Sequence, residues 1–196
     1  MYFVCFVVQL FFVSLTREAS AQGRFEAAAQ LTFVHSGEFD SVDTGIGARL
    51  SWRVTDLVGA DAEINAYPSN FPEGTAFSRK RSEGLFGLTA GPRLGRVRPF
   101  GKLRPGFVTF HGQPVACILI FPPPLSCQLA AGRTVFALDI GGGVDVFTDG
   151  PLIVRLDAGD RMLKYPGPAF RSGGRSTQDA FFSHDLRVSV GAGIGF

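Results

Sequence analysis

The amino-acid sequence predicts an all-β fold: an eight-stranded antiparallel up-and-down transmembrane β-barrel. Three observations lead to this prediction: an apolar N-terminal segment of signal-peptide length, eight segments in which apolar and polar residues alternate, and joins of alternating length. Alternation with a period of two is the pattern of a β-strand whose two faces meet different surroundings. Tilted strands of about ten residues are long enough to cross a membrane.

The N-terminal segment is expected to be an export signal. Its apolar run is MYFVCFVVQLFFVSL, which is too short for a helix that crosses about 30 Å of hydrocarbon. The small residues Ala19-Ser20-Ala21 fit the cleavage site of a signal peptidase. We therefore expect a signal peptide over residues 1–21 and a barrel domain over residues 22–196. A short retained membrane anchor is the alternative interpretation.

The eight alternating segments supply the strands. In the clearest of them, DTGIGARLSWRV, Ile46, Leu50 and Trp52 share one face, and Arg49 and Arg53 share the other. The same alternation predicts strands over residues 24–34, 43–54, 58–67, 83–94, 97–110, 134–147, 152–163 and 182–196.

The joins between these segments alternate in length. Those expected to be long are 35–42, 68–82, 111–133 and 164–181. Those expected to be tight lie around Thr55-Asp56, Gly95-Arg96 and Thr148-Asp149-Gly150. Short turns at one end and long loops at the other are typical of an even-stranded membrane barrel. Both termini are then periplasmic and the long loops extracellular.

Alternation leaves two arrangements of the faces open. A soluble, lipocalin-like barrel would bury the apolar face, whereas a membrane barrel turns it toward lipid. The glycine-rich, mixed-sign charged face favours the membrane barrel, as do aromatic residues near the strand ends. These aromatics are expected to form two girdles at the membrane boundaries. The predicted girdle residues are Phe25, Trp52 and Phe196 on the turn side and Phe33, Phe86, Phe107, Phe136 and Phe182 on the loop side.

The last segment, LRVSVGAGIGF, ends in Phe196 and carries apolar residues at every second position. It resembles the C-terminal signal by which the barrel-assembly machinery recognises outer-membrane proteins. The chain resembles small outer-membrane barrels such as the OmpA membrane domain, OmpX and OmpW, including in GLTAGPRLGRVRPFGKLRPGFVTF and ALDIGGGVDVFTDGPLIVRLDAGD. This resemblance implies a bacterial outer-membrane location and brings no catalytic motif with it.

The charged face is expected to line the barrel interior. An eight-stranded barrel is wide enough only for its own side chains, so inward charges must neutralise one another. The predicted interior charges are Arg49, Arg53, Asp61, Glu63, Glu83, Arg93, Arg98, Lys102, Arg104, Asp139, Asp145, Arg155, Asp157, Asp185 and Arg187. A plug of salt bridges is the leading interpretation of this set. A narrow pathway for ions or solutes and a catalytic carboxylate pair are the alternatives.

No constellation of residues predicts an enzyme, a metal site or a cofactor. The three histidines, His35, His111 and His184, lie near the loop ends of strands. Ser183 and His184 cannot act as nucleophile and base, because adjacent strand residues point to opposite faces. The glycine run 141–143 has no helix after it and no Lys-Ser/Thr, so it is not a phosphate-binding loop.

The remaining signals concern partners. Cys117 and Cys127 flank an apolar, proline-rich loop segment and are a candidate disulfide for an oxidising compartment. The basic run 79–81 is a candidate contact for lipopolysaccharide. The charges that give the net charge of +2 are scattered along the chain and give no sign of nucleic-acid binding.

We expect a non-enzymatic outer-membrane protein with a structural or surface-interaction role. Its expected partners are lipid, lipopolysaccharide and the assembly machinery. A narrow channel for ions or small apolar solutes is the alternative, and a lipid-modifying enzyme a more remote one.

Overall fold

The computed structural model describes residues 24–68, 80–112, 125–167 and 179–196. Eight antiparallel strands pair in chain order, and β1 pairs with both β2 and β8, so the sheet closes into a barrel. The predicted fold class is confirmed. The predicted signal peptide lies outside the described residues and stays a prediction.

The strands are β1 (Phe25–Ser36), β2 (Ser41–Arg53), β3 (Val58–Tyr67), β4 (Arg81–Ala90), β5 (Val97–Phe110), β6 (Arg133–Phe147), β7 (Leu152–Tyr165) and β8 (Phe181–Gly195). A short helix, α1 (Leu125–Ala130), precedes β6. No helix in the described ranges is long and apolar enough to cross a bilayer. We call one end of the barrel the turn side; it holds the β2–β3, β4–β5 and β6–β7 connections, the start of β1 and the end of β8. The opposite end is the loop side.

The first join is shorter than predicted. β1 and β2 remain paired up to Ser36 and Ser41, and only residues 37–40 connect them. Asp40 adopts a φ of 50° and its N–H donates to the Ser36 carbonyl at 2.8 Å. The prediction of a long loop over 35–42 was wrong because the alternation reverses at this point. Val34 is buried inside the barrel and His35 lies outside, so the polarity of the two faces no longer indicates a strand.

The join between β4 and β5 is longer than predicted. β4 ends at Ala90 rather than at residue 94, and six residues precede β5. Pro92 has no N–H to donate and cannot continue the ladder. An isolated bridge between Leu94 and Val97 closes the turn, with Gly95 at a φ of 64°.

Burial alternates along the strands with the apolar face outward. Ile64 and Leu50 are 68% and 52% exposed, whereas Arg104 and Arg187 are fully buried. A soluble barrel would show the reverse, because burial of apolar side chains is what stabilises it in water. The soluble alternative for the two faces is therefore rejected.

The loop-side end of the interior is apolar. Leu125 and Leu129 of α1 pack there against aromatic and aliphatic side chains of the strands. The members of this apolar cap are Phe39, Leu85, Val108, Phe110, Leu125, Leu129, Val135, Ala137, Leu163 and Tyr165, with Phe181 packed against them. The sequence did not predict this cap.

Candidate functional site

The polar interior of the barrel is the candidate functional site. Each of the eight strands contributes at least one buried charged side chain, and on the described strands nine buried carboxylates stand against eight buried cations. The carboxylates are Glu26, Asp43, Asp61, Glu63, Glu83, Asp139, Asp145, Asp157 and Asp185, and the cations are Arg49, Arg81, Arg98, Lys102, Arg104, Arg155, Arg161 and Arg187. Near-equal numbers allow almost every charge to be compensated without water.

The middle of the interior holds the densest group of charges. Arg104 donates through Nη1 to Glu63 Oε2 at 2.8 Å and through Nη2 to Asp139 Oδ2 at 2.6 Å. Arg187 contacts the same two carboxylates from the opposite wall. Lys102 Nζ lies 3.0 Å from Asp139 Oδ2 and also contacts Asp157. Shared carboxylates thus connect β3, β5, β6, β7 and β8 across the lumen.

A second group lies nearer the loop side. Arg161 donates to Glu83 and to Asp185 at 2.7 Å each. Tyr67 donates its hydroxyl to Glu83 at 3.2 Å, and Asn65 donates to the same carboxylate at 2.9 Å. This group lies between the central charges and the apolar cap.

A third group lies nearer the turn side. Arg155 donates to Asp145 at 2.5 and 3.1 Å and to Asp61 at 2.9 Å. Its guanidinium carbon also lies 4.6 Å from the centre of the Phe100 ring. Arg49 donates to Glu26 at 2.8 Å. Stacking on an aromatic face and forked contact with carboxylates are both properties of arginine that lysine lacks.

Two predicted interior charges are not buried. Arg53 is half-buried at the end of β2, and Arg93 is exposed in the β4–β5 turn. The placement of Arg93 inside the barrel was wrong because Pro92 ends the strand before it. The other predicted charges are buried on the inner face: Arg49, Asp61, Glu63, Glu83, Arg98, Lys102, Arg104, Asp139, Asp145, Arg155, Asp157, Asp185 and Arg187.

Sequence reasoning also missed interior residues. Asp43 and Arg161 lay on the charged faces of their predicted strands but were not included in the predicted interior set. Glu26 was also left out, although it continues the inner face of β1. Arg81 was placed in a basic loop, but it is the first residue of β4 and contacts Asp43 inside the barrel. Arg81 could have been placed inside the barrel only with the knowledge that it pairs with Tyr67 in the β3–β4 ladder.

The barrel has counterparts among solved structures. A scan against protein-family models found no match, and no curated protein matched the chain. The crystal structure of Neisserial surface protein A matches with a TM-score of 0.55 and 16% identity, over 90% of this chain and 100% of that one. Ail, the attachment invasion locus protein of Yersinia pestis, matches with a TM-score of 0.51 and 14% identity, over 90% and 100%. The chain has the fold of the small outer-membrane β-barrels.

The outer surface of this outer-membrane-type barrel carries the predicted girdle aromatics. On the turn side the Phe25 ring stacks with Trp52 at 6.2 Å and with Phe196 at 6.3 Å between centroids. On the loop side Phe107 pairs with Phe136 across adjacent strands. All eight aromatics point outward and are exposed: Phe25, Phe33, Trp52, Phe86, Phe107, Phe136, Phe182 and Phe196. That they mark the membrane boundaries stays a prediction.

The histidines of the barrel lie near its loop side. His184 Nδ1 lies 2.6 Å from Asp160 Oδ2 on the outer surface. His111, just after β5, has its Nε2 2.5 Å from Ser82 Oγ on β4, a contact that sequence reasoning missed because the two residues are 29 positions apart in the chain. A serine and a histidine in contact are two parts of a hydrolytic triad, but no described carboxylate orients His111.

Other predicted sites are less informative. Ser183 points into the barrel and donates to Asp185 at 3.3 Å, away from His184. Within the described ranges, no three His, Cys, Asp or Glu side chains are grouped to hold a metal ion. Cys127 is buried on α1, but Cys117 and Arg79 lie outside the described residues. The disulfide and the basic loop therefore stay predictions.

Proposed function

We propose that the chain is an integral protein of the bacterial outer membrane, with its turn side and termini in the periplasm. The observation that carries this proposal is the inversion of the two faces, apolar outside and charged inside. The large outward aliphatic and aromatic side chains would be covered by acyl chains. Lipid is thus the first partner. Phe196 at the end of the last strand supports delivery by the barrel-assembly machinery.

We propose further that the interior does not conduct and that the protein has a structural or surface-interaction role without enzymatic activity. Lys102, Arg104, Arg187 and their carboxylates are fully buried and cross the lumen at mid-height. An ion would have to break several charge-assisted contacts in a low-dielectric interior in order to pass. The apolar cap adds a second barrier at the loop side. A surface role agrees with the names of the two structural counterparts.

Conductance in planar bilayers tests the closed interior. The wild-type barrel should give no steady single-channel steps. The double variant Arg104→Ser/Arg187→Ser shortens two central side chains and leaves Glu63 and Asp139 with fewer counterions, so it should pass cations. Conductance of this variant serves as the positive control that the assay can detect an open lumen of this width. Steady conductance of the wild type would contradict the proposal and favour the channel.

A further inference from the structure

The outward-facing wall of the barrel carries almost no charge. Among the outward-facing positions of the eight described strands, Asp160 and Lys164 are the only Asp, Glu, Lys or Arg side chains, and both lie on β7. The other outward positions hold apolar side chains, glycine, hydroxyl side chains, or His35 and His184. A charged side chain on a surface that meets hydrocarbon is costly and indicates a functional contact.

Asp160 lies deeper in this wall than Lys164. Lys164 pairs with the girdle residues Phe136 on β6 and Phe182 on β8, and its Nζ lies 5.9 Å from the centre of the Phe182 ring. Asp160 follows two outward positions nearer the turn side, about 13 Å along the strand. Both residues that pair with Asp160 are aliphatic. The carboxylate therefore lies below the aromatic row, among aliphatic side chains.

One oxygen of the Asp160 carboxylate has a partner in the wall and the other is open. Asp160 Oδ2 lies 2.6 Å from His184 Nδ1, and the Asp160 side chain is 46% exposed. An ionised carboxylate only accepts, so Nδ1 carries the proton of this contact. No described residue donates to Asp160 Oδ1, and no described carboxylate lies within salt-bridge distance of Lys164 Nζ. The outer face of β7 thus offers a free acceptor and, nearer the loop side, a free cation.

These two groups discriminate among the molecules that can cover the wall. A glycerophospholipid offers a phosphate to Lys164, but at the depth of Asp160 it has only ester carbonyl oxygens, which accept. A second copy related by a twofold axis along the membrane normal places equal depths against each other. No outward cation of the eight described strands lies at the depth of Asp160. A glycolipid with a phosphate and with hydroxyl or amide N–H groups at its acyl linkages satisfies both groups.

We propose that Lys164, His184 and Asp160 form a binding site for one phosphorylated glycolipid with amide-linked or hydroxylated acyl chains. Lys164 contacts the phosphate, and Asp160 Oδ1 accepts from a hydroxyl or amide N–H group at an acyl linkage. His184 holds the carboxylate in this orientation. Lipopolysaccharide, an expected partner of the chain, carries these groups in its lipid portion. The site depends on the proposed membrane location, because only there does the outer face of β7 meet lipid.

The experiment is native mass spectrometry of the full chain released from nanodiscs of phosphatidylcholine that contain equal amounts of monophosphoryl lipid A and phosphatidic acid. The measured quantity is the ratio of retained lipid A to retained phosphatidic acid. Both lipids carry a phosphate, but only lipid A carries hydroxyl and amide donors at its acyl linkages. The wild type should retain lipid A in preference. Asp160→Leu should lower the ratio about tenfold, as for the loss of one charge-assisted hydrogen bond.

Two further variants separate the contacts. Lys164→Met should weaken the retention of both lipids and leave their ratio unchanged, because it removes the contact with the phosphate that they share. Thr44→Val removes an outward hydroxyl on β2, away from the site, and should change the retention of neither lipid. The heat-dependent shift in electrophoresis shows for each variant that the barrel is folded.

Three outcomes would overturn the site. The first is equal retention of the two lipids by the wild type, and the second is a preference for lipid A that persists in folded Asp160→Leu. The third is a wild-type dimer that Asp160→Leu abolishes, which would identify a second copy as the occupant. A folded barrel without lipid preference would leave the membrane location and the conductance result untouched, so the two proposals fail separately.

Discussion

Arg161 shows how a single charge is held in this barrel. Its guanidinium is fully buried and lies between Glu83 and Asp185, with 2.7 Å to each. A buried cation of this kind contributes less to stability than its contacts suggest, because its own desolvation opposes them. Removal of the cation is nevertheless costly, since two carboxylates then lose a counterion in a medium of low dielectric constant.

The first prediction concerns this residue. Arg161→Met should lower the free energy of unfolding by about 3–5 kcal/mol, as for the loss of one partner from a buried ion pair. Urea titration of the barrel in lipid vesicles measures it. Lys164→Met is the control, because Lys164 lies on the outer surface of the same strand. It should cost about 1 kcal/mol or less. Equal losses in the two variants would contradict the charge network.

The individual strands show which parts of the fold could be predicted from the sequence. Alternation predicted all eight strands and the inner face of most of them, because each face of a barrel wall meets one kind of surroundings. It failed at Val34 and His35, where the polarity of the faces reverses, and at Pro92, where a missing donor ends a strand. Helix α1 was not predictable, since six residues carry too little periodicity and its burial depends on distant strands.

Close approach of neighbouring strands leads to the second prediction. A Cβ added at Gly141 would lie 2.1 Å from the Ala158 carbonyl oxygen, which cannot move without breaking the β6–β7 ladder. Gly141→Ala should therefore destabilise the barrel by about 1–3 kcal/mol. At Gly101, another strand glycine, an added Cβ would lie no closer than 3.9 Å to the carbonyl oxygen of Gly141 on the neighbouring strand, so Gly101→Ala should have little effect. Urea titration compares the two, and the reverse order would contradict this backbone packing.

The apolar cap supports the third prediction. Leu129 of α1 is buried in the cap, so Leu129→Ala should cost about 2–5 kcal/mol through lost contacts and a residual cavity. Leu103→Ala is the control, since Leu103 is half exposed on the outer surface and lipid can fill the space it leaves. A smaller loss for Leu129→Ala than for Leu103→Ala would mean that α1 does not pack into the loop-side end.

At the scale of the whole molecule, the single tryptophan reports which surface meets lipid. Trp52 is 46% exposed on the outer surface, in the aromatic cluster of the turn side. Its fluorescence should be quenched by lipids brominated on their acyl chains and little affected by aqueous iodide, because an interfacial indole is in contact with acyl chains. Strong quenching by iodide without quenching by brominated lipid would place this surface in water.

The central claim is that the apolar face of the barrel lies in the outer membrane. The most direct measurement is electrophoresis of an outer-membrane fraction in denaturing detergent, boiled and unboiled, since folded membrane barrels resist the detergent until heated. We expect the protein to be found in this fraction and to change its migration on heating. A soluble periplasmic protein without a heat-dependent shift would contradict it.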